Sequence, residues 1–137
     1  MKRYWLVMIL TALAAGCTSP TPPMDEVLLP RLKPLGSGTN DARPQALLVG
    51  RLVIDKGCIK VGNTGEAITV LWHNEVELVP GERSPVLRDT STGRTYRIGE
   101  TVKIGGGSSD DPKYVARELP EVASRCGPPY FVGYFSK

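Results

Sequence analysis

The longest apolar run in the chain comes first. Tyr4 to Leu13 is about ten residues, almost all apolar, behind the charged start Met1-Lys2-Arg3. That layout predicts a secretory signal peptide over residues 1–16. A bilayer span needs about 20 apolar residues, so the run predicts export and not a membrane helix. From Gln45 onward the period of the pattern changes to two. Leu52 and Ile54 alternate with Arg51, Val53 and Asp55, and Asp55-Lys56-Gly57 then signals a turn. Cys58 to Val61 resumes in extended form. Ala67 to Trp72 puts Ile68, Val70 and Trp72 on one face, rich in β-branched and aromatic residues.

Further short strands are expected at Val76 to Val79, Pro85 to Arg88, Arg94 to Ile98, Thr101 to Ile104 and Tyr130 to Phe135. Asp89-Thr90-Ser91-Thr92-Gly93 reads as a hairpin loop between two of them. Helix is scarce. Pro112 to Leu119 fits one, with Asp110 or Asp111 as cap and Pro112 in the first turn; Pro120 to Arg125 is a second possibility. Short strands with frequent turn signals predict an all-β domain, a small barrel or sandwich of about 6–7 short strands with one short helix, over residues 45–137. An outer-membrane barrel needs at least eight strands of about ten residues each, roughly twice these lengths.

Residues 17–44 read as a tether. Pro20, Pro22, Pro23, Pro30, Pro34 and Pro44 stand among Ser, Thr, Gly and Asn, and proline bars both helix and central strand. The apolar patch Val27-Leu28-Leu29 is read as part of an idle linker in preference to docking on the domain.

Leu13-Ala14-Ala15-Gly16-Cys17 resembles the lipobox of bacterial lipoproteins, in which the chain is cleaved before a cysteine that carries acyl chains such as palmitate. The resemblance implies a mature protein that begins at a lipidated Cys17 and is held by several acyl chains, enough for stable anchoring. Thr18 follows the cysteine where the inner-membrane retention signal has aspartate. The implied address is the outer membrane with the domain facing the periplasm, ahead of the inner membrane or the cell surface.

Removing residues 1–16 takes Lys2 and Arg3 with it and leaves 15 basic against 14 acidic residues. So even a balance gives no case for nucleic acid as a partner. Of three cysteines, Cys17 takes the lipid, leaving Cys58 and Cys126. In an oxidising compartment such a pair is most simply a disulfide, the alternatives being a reactive pair or a metal site. The spacing resembles no zinc pattern, and His73 is the single histidine.

Candidate chemistry is thin. His73 at a strand end reads as an exposed turn histidine. Gly105-Gly106-Gly107-Ser108-Ser109 lacks the lysine of a phosphate loop and reads as a flexible loop, or as a bend needing positive dihedrals and close backbone approach. Asp110-Asp111 reads as a helix cap more readily than as a calcium ligand pair. Arg83, Arg88, Arg94 and Arg97 form the densest basic region, partly balanced by Glu82 and Asp89. On a hairpin they would converge on one face and meet an anionic partner, against the plainer reading of a solvated strand face. Tyr130, Phe131, Tyr134 and Phe135 fill a core with one face in preference to forming a ligand wall, with Gly133 marking close packing. No catalytic set, metal or cofactor is expected.

The stretch Val49 to Tyr134 is similar to a loose group of small bacterial secreted proteins and lipoproteins. The marks are Gly50-Arg51-Leu52-Val53, Gly57-Cys58-Ile59, Val70-Leu71-Trp72, Ile98-Gly99-Glu100-Thr101-Val102 with Gly105-Gly106-Gly107, and Cys126-Gly127-Pro128-Pro129. The group usually has proline where His73 stands. The resemblance implies a compact β-barrel with the two cysteines paired, and no activity. The expected function is that of a membrane-anchored envelope lipoprotein acting as a binding or structural module. Its partner would be another envelope protein or an anionic envelope polymer; a small envelope hydrolase or an inhibitor of an envelope enzyme is the alternative.

Overall fold

The computed structural model describes residues 22–33, 45–63, 65–109 and 111–136. Residues 1–16, the expected signal peptide, and Cys17 lie outside the described residues, as do Pro20, Pro34, Pro44 and Asp110. Among the described residues no helix is long and apolar enough to cross a membrane.

Eight strands form two sheets: β1 (Ala46–Asp55), β2 (Cys58–Val61), β3 (Thr69–Trp72), β4 (Val76–Val79), β5 (Val86–Asp89), β6 (Thr95–Arg97), β7 (Thr101–Ser109) and β8 (Tyr130–Phe135). The first sheet runs β2-β1-β7-β8-β3, antiparallel except for the parallel pair β3–β8. The second is the meander β4-β5-β6. The all-β expectation holds, with eight strands where 6–7 were expected. Two short helices, α1 (Pro112–Glu118) and α2 (Pro120–Arg125), stand where one was expected. Each opens on a proline, whose fixed φ suits a first helical turn. Asp111 Oδ1 caps α1, accepting from the Lys113 and Tyr114 amides at 3.0 and 3.1 Å.

The five-stranded sheet curls until β2 faces β3, touching through a bridge between Val61 and Ile68. The remaining gap is filled from upstream. Leu28 N–H donates to Gly57 O (2.7 Å), and Leu28 O accepts from Ile59 N–H (2.9 Å). Further along, Leu32 N–H donates to Trp72 O and Trp72 N–H to Pro30 O, both at 2.9 Å. This strap, Val27 to Leu32, is parallel to both neighbours and alternates like a strand. Val27 and Leu29 join the barrel interior, whereas Leu28 and Leu32 face the helices. The expectation of an idle linker across this patch is therefore corrected. The folded unit begins upstream of residue 45. Pro30 is tolerated because its carbonyl, not its missing N–H, makes the ladder bond.

Inside the barrel, Leu52, Ile59, Val61, Val70, Trp72, Val102, Ile104, Phe131 and Phe135 form the core, and Val76, Leu87 and Tyr96 of the meander seal onto it. A second cluster lies outside the wall, where Leu71, Val115, Val122 and Tyr130 surround the Cys58–Cys126 disulfide. That bond, with 5.7 Å between Cα atoms, ties β2 to the end of α2. β2 and β3 are covered on both faces, so each is a continuous run of buried residues. Lys60 belongs to one such run, and only 5% of it is exposed. Its ammonium is matched by Asp55 Oδ2 at 3.0 Å, as a buried charge requires.

The glycine run is not a loop. Gly105, Gly106 and Gly107 sit within β7, paired with Tyr134, Gly133 and Val132. Close approach is what they supply: a Cβ at Gly106 (φ +154°) would collide with Val132 O, and one at Gly105 would press on the Tyr134 ring. Trp72 fills the centre of the barrel, stacked at a tilt 4.9 Å from Phe135, with Nε1 lacking a hydrogen-bond partner among the described residues.

Candidate functional site

The meander carries the candidate basic residues, and its alternation decides where each one goes. Leu87 and Tyr96 pair with each other and face the core, so Arg88, Thr95 and Arg97 face outward. Arg83 extends the same side from the loop joining β4 and β5. Arg83 and Arg97 line one groove of about 370 Å3 together with Glu82, Ser84, Val86 and Thr95. Neither guanidinium has an ion-pair partner among the described residues. The Arg97 backbone is held separately, its N–H donating to Glu100 Oε2 at 3.0 Å.

Arg88 is not part of that groove. Its Nε donates to Glu77 Oε1 on β4 at 2.6 Å, a direct cross-strand pair. Asp89 therefore does not balance it. That carboxylate points inward and is consumed by its own hairpin loop. Oδ1 accepts from the Ser91 N–H (2.9 Å) and Oγ (2.6 Å), and Oδ2 from Thr92 Oγ1 (2.9 Å). Burial alone would raise its pKa, but these hydrogen bonds outweigh burial and hold it below the ordinary carboxylate value.

Arg94 departs in the other direction. It lies over the Tyr96 ring at 5.8 Å and lines a second cleft of about 230 Å3 with Glu75, Asp89, Tyr134 and Ser136. Tyr96 stacks on Phe135 with 3.7 Å between ring centroids. Burial pushes its phenol above the ordinary value, against the pull of Arg94. The four arginines thus divide into a convergent pair, Arg83 and Arg97, an ion-paired Arg88 and a cation–π Arg94.

The C-terminal aromatics serve the packing reading: Phe131 and Phe135 enter the barrel core and Tyr130 the helix cluster. Tyr134 alone turns outward, over Gly105. His73 is half-buried, not an exposed turn residue, and meets Tyr134 edge-on at 6.0 Å. Among the described residues no group of three or more His, Cys, Asp or Glu side chains gathers in a way that suits a metal. Sequence reasoning missed the pairing of Lys60 with Asp55 and the exposure of Leu47 and Val49, 59% and 55% accessible on β1. No family model, curated protein or solved structure matches the chain.

Proposed function

We propose that the protein is a cell-envelope lipoprotein, acylated at Cys17 and held at the outer membrane. Its disulfide-braced barrel would act in the periplasm as a binding module for an anionic envelope partner. The anchor rests on the apolar segment followed by Ala14-Ala15-Gly16-Cys17. One observation carries the binding reading. Arg83 and Arg97 line one groove, and neither is neutralised by a carboxylate pair among the described residues. Two guanidiniums so placed suit phosphate or carboxylate, which they recognise through paired donors.

Two measurements test this. Labelled palmitate enters the wild-type chain in cells and is absent from Cys17→Ser; label in that variant overturns the anchor. Arg83→Glu with Arg97→Glu abolishes in-cell crosslinking to the envelope partner, while Arg94→Glu leaves it intact. Equal crosslinking by both would remove the groove from the function.

A further inference from the structure

We propose that the cleft between the β5–β6 hairpin and the end of β8, a site apart from the Arg83–Arg97 groove, binds a single neutral sugar unit. The inference stands independently of the anchor and of the partner of that groove.

An unsatisfied hydroxyl carries it. Tyr96 is only 8% exposed, and a buried polar group is ordinarily hydrogen-bonded. Its ring stacks on Phe135, yet among the described residues no hydrogen bond reaches its phenol oxygen. That oxygen senses the charges of Arg94 and Asp89, and all three residues line the same cleft of about 230 Å3. Because burial raises its pKa, the phenol keeps its proton at neutral pH and remains a donor. A ligand hydroxyl seated in the cleft would satisfy it.

The rest of the lining selects the class of ligand. Arg94 adds further donors and makes no ion pair among the described residues. Glu75 and Asp89 set two carboxylates against it in the same lining. The cleft therefore has no surplus positive charge to draw an anion, while Arg94 opposes a cation. A neutral ligand that both donates and accepts hydrogen bonds fits that balance, and the hydroxyls of a sugar do both. Tyr134 adds a ring against which the C–H face of a sugar can lie. Part of the site is fixed in advance, because Ser91 and Thr92 hold both oxygens of Asp89. Size sets the limit. A volume of about 230 Å3 lies below the roughly 300 Å3 at which drug-sized pockets begin, so the cleft admits one ring and not a chain.

Amide chemical shifts of the full-length chain, in a detergent without a sugar headgroup, test the site with glucose and with N-acetylglucosamine. At least one of these should move the amides of Ser91–Tyr96 and Tyr134–Ser136, with a dissociation constant on the order of 1 mM. Tyr96→Phe keeps the ring and loses only the hydroxyl, and should weaken binding about fivefold. Arg94→Gln removes a charged donor and should weaken it about tenfold. Arg88→Ala, remote from the cleft, should leave it unchanged. Absence of any shift with either sugar at roughly 100 mM overturns the proposal, and so does wild-type affinity in a folded Tyr96→Phe. Should that variant lose the folded spectrum, Arg94→Gln on the exposed hairpin decides in its place. Shifts centred on Gly81–Ser84 overturn the proposal in favour of another site. An equal or stronger response to acetate or phosphate overturns it in favour of an anion.

Discussion

Strands β2 and β3 of the barrel wall and β5 of the meander are each four residues long, yet they obey different rules. β2 and β3 are buried at every position, one face in the barrel and the other, with Cys58 and Leu71, towards the helices. β5 and β6 bury alternate residues and leave Arg88, Thr95 and Arg97 in solvent. In those two wall strands, the side chains on both faces hold the fold together. In the meander the inner face closes the core, and the outer face is free to carry charge. The lesson is that binding chemistry in so small a domain belongs on the sheet covered on one side.

The largest test of that contrast is the disulfide. Replacing Cys58 and Cys126 together with serine should cost about 4 kcal/mol, as expected for release of a loop this long, measured by urea unfolding. A loss under about 1 kcal/mol would mean that the helix pair holds to the wall by packing alone. Next comes the outer face of a wall strand. Leu71→Ala should cost about 3 kcal/mol, although an outward position in β5 tolerates arginine. The strap offers a third comparison: Val27→Ala should cost about 2 kcal/mol if the segment is a stave, and nothing measurable if it merely lies on the surface.

Asp89 gives the pH arm. Its folded-state pKa is depressed, so its stabilisation is fully present above the unfolded value and is lost as pH falls through the folded value. Asp89→Asn should therefore be less stable than wild type at neutral pH and converge with it in strong acid; a gap that persists in acid would assign the effect to packing. Arg88→Ala should be the mildest change, below about 1 kcal/mol, because an exposed cross-strand ion pair contributes little.

The alternation at Leu52 and Ile54, and at Ile68, Val70 and Trp72, made the wall legible because period two survives wherever one face is apolar. The hairpin at Asp89–Gly93 was equally readable from its turn residues. The strap was hidden for a physical reason. Its partners, Cys58 and Trp72, lie 30 and 41 positions from Leu28 and Arg31, and the prolines in and around it resemble those of a spacer. The pattern alone ends β7 at Ile104, because glycines usually end strands, whereas here they admit Tyr134 and Val132. The arginines were legible as a group but not as a geometry. Which of them met depended on Glu77 and Tyr96 claiming two of the four.

The strap also sets how the molecule bears a pull. Tension entering at Pro22 runs along the strap's own axis, across bonds that lie sideways to both neighbours. The bonds at Leu28 with Gly57 and Ile59, and those joining Trp72 to Pro30 and Leu32, are then sheared together and not peeled one by one. Seating the chain between two strands turns a leash into a splice, and the first thing to give under load would be the whole wall rather than its edge.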